Sequence, residues 1–393
     1  MLRCVVVNLC CTIALTLLVS EADALSLTIS EAEVEAYQGV DFQALRKAYS
    51  KPRTLWPKAH VDESVDFVEL GLLPPIQHPA ESPYSDAVYK LGYTLFNDGK
   101  LSASGQIACA SCHDPDLGWG DGKRVSFGHD RQTGLRNAPT IENVGFLKAF
   151  FWDGRAASLE QQALMPIQDP VEMAFNLEDL VERLAGDASY VTLFENAYGE
   201  NSLSATNIAK ALASFQRTIK SRKSDFDYFL MSLSENDTAK QQRYSRKLSD
   251  DALWGLDLFR RKARCVNCHH GPRFTDDNFH NLGLTWYKRE YEDLGRYNVT
   301  GDPKDVGKFK TPSLRGVMNT KPWMHNGLFS SMEGILNIYN NGGNPTQPDE
   351  DDPLSPITSS LLQKLDLSDA EINALVAFLE AITAPPARVP KPE

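Results

Sequence analysis

Cys109-Ala110-Ser111-Cys112-His113 and Cys265-Val266-Asn267-Cys268-His269 decide how this chain folds. Both read C-x-x-C-H. At that spacing two thioethers reach the two vinyl groups of one porphyrin, and the next residue sets an imidazole under the iron. A zinc site would want two further Cys or His ligands at matched spacing, and a thioredoxin-like motif a βαβ context; the sequence offers neither. Of seven cysteines, Cys4, Cys10 and Cys11 fall within the first 24 residues, and the other four are all used by the two motifs. No thiol is left for a disulfide. The reading is therefore two covalently bound haem c groups, with His113 and His269 as iron ligands.

The surroundings of the two motifs repeat as well. A helical stretch precedes each: Ala87 to Asn97, containing Gly92-Tyr93-Thr94-Leu95-Phe96, and Asp251 to Arg261, containing Gly255-Leu256-Asp257-Leu258-Phe259. Both carry G-x-x-L-F. A second amphipathic helix follows each motif and opens L-S-x-x-x-I, at Leu203-Ser204 with Ile208 and at Leu367-Ser368 with Ile372. Ser368 and Glu371 have capping-box spacing. Apolar residues three and four apart put one face of each helix on a core. Strand signals are sparse. The expected fold is all-α, two cytochrome c-like haem domains in tandem, over residues 84–240 and 241–393, with a polar linker between Ser232 and Ser249 and a proline-rich N-terminal extension over 25–83.

Length and composition agree with this plan. A chain of 393 residues with 42% hydrophobic and 23% charged residues can build two separate cores. A formal charge of -12 argues against a nucleic-acid partner and suits a basic or small neutral one. Residues 1–24 read as a cleaved signal peptide: Arg3, a mostly apolar run from Val5 to Val19, then Ala22-Asp23-Ala24 before Leu25. The run is shorter than the ~20 residues a membrane helix needs, so export to the periplasm without stable membrane insertion is expected.

Three further groups of residues give the chain a resemblance, over residues 84–385, to the bacterial dihaem cytochrome c peroxidase and MauG superfamily. They are Phe151-Trp152-Asp153-Gly154-Arg155-Ala156 followed by Gln162, Pro166 and Glu172-Met173; Phe127-Gly128-His129; and Met324-His325-Asn326-Gly327. On residue type alone, Trp152 reads more readily as a core residue and Glu172 as a surface one. The resemblance implies that Trp152 lies between the haems, and that Gln162 and Glu172 line the pocket where hydrogen peroxide binds. A glutamate in an apolar haem pocket has the chemistry to take a proton from one peroxide oxygen and return it to the other. His129, sixteen residues after His113, matches a histidine that caps the peroxidatic haem at rest and leaves on activation, which Gly128 and Gly134 would permit. Asn137, Thr320 and Pro322 match a calcium site of one side-chain amide, two backbone carbonyls and waters, an all-oxygen set that suits this ion.

The sixth ligand of the second haem separates the branches. Peroxidases use a methionine fourteen residues after the histidine of the M-H-N-G type motif; here that position is Tyr339, the MauG arrangement, with Met318, Met324 and Met332 as alternative ligands. Thioether ligation raises the reduction potential, and an anionic phenolate acts in the opposite sense. Two features depart from MauG: His129 is present, and Ala263 stands where MauG has an exit tryptophan, leaving Trp254, Trp286 and Trp323 as substitutes. The resemblance implies a peroxidase drawing electrons from a small redox protein, a cytochrome c or cupredoxin. The alternatives are MauG-like oxidation of a residue in a partner protein and a non-catalytic dihaem electron carrier.

Overall fold

The computed structural model describes residues 39–345 and 347–393; the expected signal segment lies outside them. The described residues form twelve α-helices: α1 Phe42–Tyr49, α2 Asp86–Asn97, α3 Leu159–Gln168, α4 Leu177–Ala185, α5 Ala188–Tyr198, α6 Ala205–Arg217, α7 Asp225–Ser232, α8 Thr238–Ser245, α9 Asp250–Arg260, α10 Tyr297–Thr300, α11 Met332–Asn340 and α12 Asp369–Ala381. One antiparallel ladder joins the two-residue strands β1 Phe279–His280 and β2 Phe309–Lys310, with Phe279 opposite Lys310. The architecture is mainly helical with very little sheet.

Two helix crossings organise it, α2 on α6 and α9 on α12. The glycine of each G-x-x-L-F explains how the helices meet. A Cβ on Gly92 would lie 2.1 Å from the carbonyl oxygen of Ala211, and one on Gly255 would lie 1.9 Å from that of Ala374. Only hydrogen fits there. One turn further on, Phe96 packs on Phe215 and Phe259 on Phe378, at centroid distances of 5.0 and 5.2 Å. Gly92, Phe96, Ala211 and Phe215 recur 163 residues later, whereas the helix caps Ser204 and Ser368 are 164 apart. The repeat therefore slips by one residue between cap and crossing. A serine caps all four helices: Ser85, Ser204, Ser249 and Ser368 each accept a backbone N–H from the first turn, worth about 1 kcal/mol apiece. Ser368 and Glu371 form the reciprocal capping box.

Each crossing lies in its own hydrophobic core. The first gathers residues from Tyr89 to Ile219, plus Ala387 of the C-terminal tail, which returns to receive the indole N–H of Trp119 at 3.0 Å. The second gathers residues from Phe226 to Ile382 together with Tyr49, Trp56 and Leu70. Thus α7, which composition alone sets on the first side of the linker, packs Phe226 against Phe274 and Phe378 of the second core. The polar stretch read as a linker carries α8, capped by Asp237 and with no buried residue.

The extension before α2 is a strap across the second core. Arg46 bonds Asp250, Tyr49 donates to Asp257, and Arg260 is held by Glu69. The strap then crosses the second C-x-x-C-H turn. Asn267 receives the Asp62 N–H and donates to the His60 carbonyl, and Phe67 packs on His270. Among the described residues no helix is long and apolar enough to cross a membrane.

Candidate functional site

The two C-x-x-C-H segments are built alike. Each is a single 3-10 turn, Cys109–Ser111 and Cys265–Asn267, in which the histidine N–H donates to the carbonyl of the first cysteine, at 3.1 and 2.8 Å. The imidazole Nδ1 then pairs with a backbone carbonyl a few residues on: Trp119 for His113 and Phe274 for His269, both at 3.0 Å. Such a bond fixes the tautomer and leaves Nε2 as the lone-pair nitrogen. Burial lowers both imidazole pKa values, so both rings are in the neutral, ligating form.

Each turn opens on a large, mostly apolar cavity. The first, of about 1770 Å³ counting the part open to solvent, is walled by Cys109, Cys112, His113, Gln162 and Glu172. Burial, with the charge of Asp169 behind it, raises the pKa of Glu172; Arg155 opposes the shift. Glu172 also borders a separate outer crevice with Arg155, Gln168 and Asp169, so the residue lies between the cavity and a solvent-facing recess.

His129 is not on the cavity wall. It sits in a hairpin whose Asp130 and Arg131 take left-handed φ values of 51° and 60°. Its Nε2 lies 3.5 Å from Asp130, and its Nδ1 is buried without a partner. The hairpin rests on the Glu172 segment: the His129 N–H is shared by the carbonyls of Val171 and Glu172, and a Cβ on Gly128 would lie 2.1 Å from the Val171 oxygen.

The second cavity, of about 1750 Å³ counted in the same way, is walled by Cys265, Cys268, His269 and Tyr339. Burial pushes the Tyr339 phenol pKa up, with the Cys268 and Cys265 sulfurs adding to the effect. Met324 and Met332 share this wall, and Met318 does not. Asn137, Thr320 and Pro322 line the cavity together. The Asn137 Nδ2 donates to the Lys123 carbonyl at 2.8 Å, which leaves Oδ1 as its acceptor. Trp152 lines both cavities, as do Asn137, Pro139, Thr140 and Lys310 among others. Ala263 is buried on the second wall; of the three candidate exit tryptophans only Trp323, half-buried, shares it.

A haem fits what each cavity presents: an apolar slot, two sulfurs, and one imidazole whose Nε2 is uncommitted. The second cavity adds His325, stacked on Phe309 at 3.6 Å, whose Nε2 is buried with no protein partner.

Comparison with known proteins agrees with this geometry. Residues 86–235 match the family model for di-haem cytochrome c peroxidase. MauG, the methylamine utilization protein of Methylorubrum extorquens, is 38% identical over 321 residues, covering 81% of this chain and 84% of that protein. Cytochrome-c peroxidase IdrP1 of Denitromonas iodatirespirans is 35% identical over 346 residues, covering 81% and 87%. The chain belongs to the di-haem cytochrome c peroxidase family. The crystal structure of a MauG-like protein associated with microbial copper homeostasis superposes on this family member with a TM-score of 0.68 at 31% identity, covering 79% of this chain and 93% of that one. The peroxidase-family oxidoreductase described here therefore takes two haem cofactors.

The sequence reading missed the charged groups that hold the peroxidase together across its two cores. Arg136 bridges Asp153 and Asp293, at 2.5 and 2.6 Å, and Arg296 donates to the carbonyls of Asp153 and Gly154 on either side of the turn after Trp152. Arg136 adjoins Asn137 in the R-N-A-P-T segment, so a signal was at hand. Asp293 and Arg296 lie in no motif.

Proposed function

We propose that this protein is a periplasmic peroxidase that reduces hydrogen peroxide to water with electrons from a small redox protein, a cytochrome c or a cupredoxin. The observation that carries the reading is Glu172: a half-buried carboxyl of raised pKa on the wall that also bears Cys109, Cys112 and His113. Haem c attached at Cys109 and Cys112, and at Cys265 and Cys268, would supply the peroxide-binding iron and the redox capacity. The chain's own residues supply the rest. His113 and His269 would hold the two irons through Nε2, and Tyr339, on the wall of the second cavity, would offer its phenol oxygen as a further ligand. Glu172 takes a proton from one peroxide oxygen and delivers it to the other, and the outer crevice gives it a way to exchange protons with solvent. Gln162 hydrogen-bonds the substrate without competing for that proton. Trp152, between the cavities, couples them electronically. Asn137 through Oδ1, with the carbonyls of Thr320 and Pro322, would hold calcium beside it. His129, with a nitrogen in want of a partner on a strained hairpin, is suited to swing in as a resting-state cap.

MauG-like oxidation of a residue in a partner protein is the second reading, and Tyr339 on the second cavity wall favours it. One measurement orders the three functional readings. The half-reduced protein is examined for high-spin ferric haem and then mixed with one equivalent of peroxide and a reduced cytochrome c. A high-spin signal with cytochrome oxidation is expected. Peroxide consumed with no oxidation of the cytochrome moves the protein to the MauG reading. Two haems low-spin in every redox state would make it an electron carrier.

A further inference from the structure

Lys310 occupies β2 with only 8% of its surface exposed. Its backbone N–H donates to the carbonyl of Trp152 at 2.8 Å, and the residue lines both cavities. Four other lysine or arginine residues face these cavities, and each has a carboxylate partner: Arg136 with Asp153 and Asp293, Arg155 with Asp153, Arg264 with Asp62, and Arg273 with Asp277. Among the described residues of the two walls, Lys310 alone has none. The nearest acids are already engaged, Asp276 by His280 and Asp277 by Arg273. Burial pulls the Lys310 ammonium down to about 8. A buried cation without a counter-ion is strongly disfavoured, and an apolar residue would fill the same strand position without that cost. The position therefore implies an anion that arrives with something bound. Each haem brings two propionate carboxylates, and Lys310 lines both of the places a haem goes.

We propose that Lys310 is a counter-charge shared by the propionates of both haems, one ammonium serving both cavities. It rests on the dihaem reading and assigns a cofactor-binding role to a residue outside both C-x-x-C-H segments and outside the groups around Trp152, His129 and His325. A positive charge beside an iron favours its reduced form, so one shared charge sets both potentials at once. The same residue also anchors the Trp152 backbone, which ties the charge to the proposed electronic link.

The test is spectroelectrochemical titration of the holoprotein, with haem counted by the pyridine haemochrome, for wild type, Lys310→Met and Lys310→Arg. Methionine keeps the length of the stem and removes the charge. In Lys310→Met both couples should move down, each by about tenfold or more in the reduced-to-oxidised ratio at fixed potential, which is about 59 mV for one electron; Lys310→Arg should stay near wild type. Two haems present with neither couple moved, or only one, overturns the shared charge. If Lys310→Met does not load both haems, resonance Raman of wild type against Lys310→Arg decides: displaced propionate bands from both haems support the proposal, and unchanged bands overturn it. A wild-type chain lacking haem would instead overturn the dihaem reading.

Discussion

The indole N–H of Trp152 donates to the backbone carbonyl of Asn137 at 2.9 Å. Its own carbonyl is held by the Lys310 N–H, so the ring is tied at the side chain to the first half of the chain and at the backbone to the second. His325 meets it edge-on at 6.4 Å from the second cavity. A ring fixed at both ends keeps one orientation toward both cavities, as the proposed electronic link would require.

Replacing Trp152 with phenylalanine removes the indole donor and leaves the Asn137 carbonyl unpaired in a half-buried site. An aromatic ring is kept at the position and no proposed iron ligand is touched, so both haem spectra should match wild type. Electron exchange between the two irons, followed by stopped flow after reduction of one haem, should slow at least tenfold. Unaltered kinetics with intact spectra would remove Trp152 from the path.

Glu172→Gln keeps shape and polarity and removes the proton acceptor. Peroxide turnover should fall by about two orders of magnitude, in line with lost general acid–base catalysis. The pH profile gives an independent reading. A base is active when deprotonated, and burial has raised the pKa of this one. The acid limb of kcat/KM should therefore lie above the ordinary carboxylate range in wild type and vanish in the variant. An acid limb that survives Glu172→Gln assigns it to another group.

How far the sequence reaches is clear from particular residues. Local patterns carried the C-x-x-C-H turns, the Ser368–Glu371 cap and the helices around Gly92 and Gly255, because each is dictated by neighbours a few positions away. The strap was legible only as a proline-rich stretch, since what fixes it, Tyr49 on Asp257 and Asp62 on Asn267, are pairings across about two hundred positions. Gathering Glu172 and Gln162 on one wall with His113 depended on family offsets, and no spacing rule predicts it. Lys310 was silent for a different reason. One lysine in a strand is unremarkable until its burial and the missing carboxylate are both seen.

The crossing of α9 and α12 gives a stability test. A methyl group on Gly255 would overlap the Ala374 carbonyl and crowd the Phe378 Cβ at 2.7 Å, both of them fixed parts of the second core. Backbone cannot yield as a side-chain tip can, so the helices must separate. Gly255→Ala should cost about 1–3 kcal/mol, or more, read as a lower midpoint in denaturant unfolding of the holoprotein. Exposed Gly199, with nothing within 4 Å but a φ of 92°, is the contrast: there alanine pays only for backbone strain. A Gly255→Ala midpoint equal to wild type would show that the helices are not in contact.

Tyr339, on the wall of the second cavity, is the proposed ligand that separates the peroxidase and MauG-like readings. Burial holds its phenol protonated, so binding iron as phenolate would require proton release. Methionine needs no deprotonation and presents a neutral sulfur, which favours the ferrous state. Tyr339→Met should raise the second haem potential by more than a tenfold change in the reduced-to-oxidised ratio, about 59 mV for one electron, and should weaken the dependence of that potential on pH, because no ligand proton is exchanged. An unchanged potential would exclude the tyrosine. Met324 and Met332 stand on the same wall to take its place, and Met→Leu substitution at each would then identify the ligand.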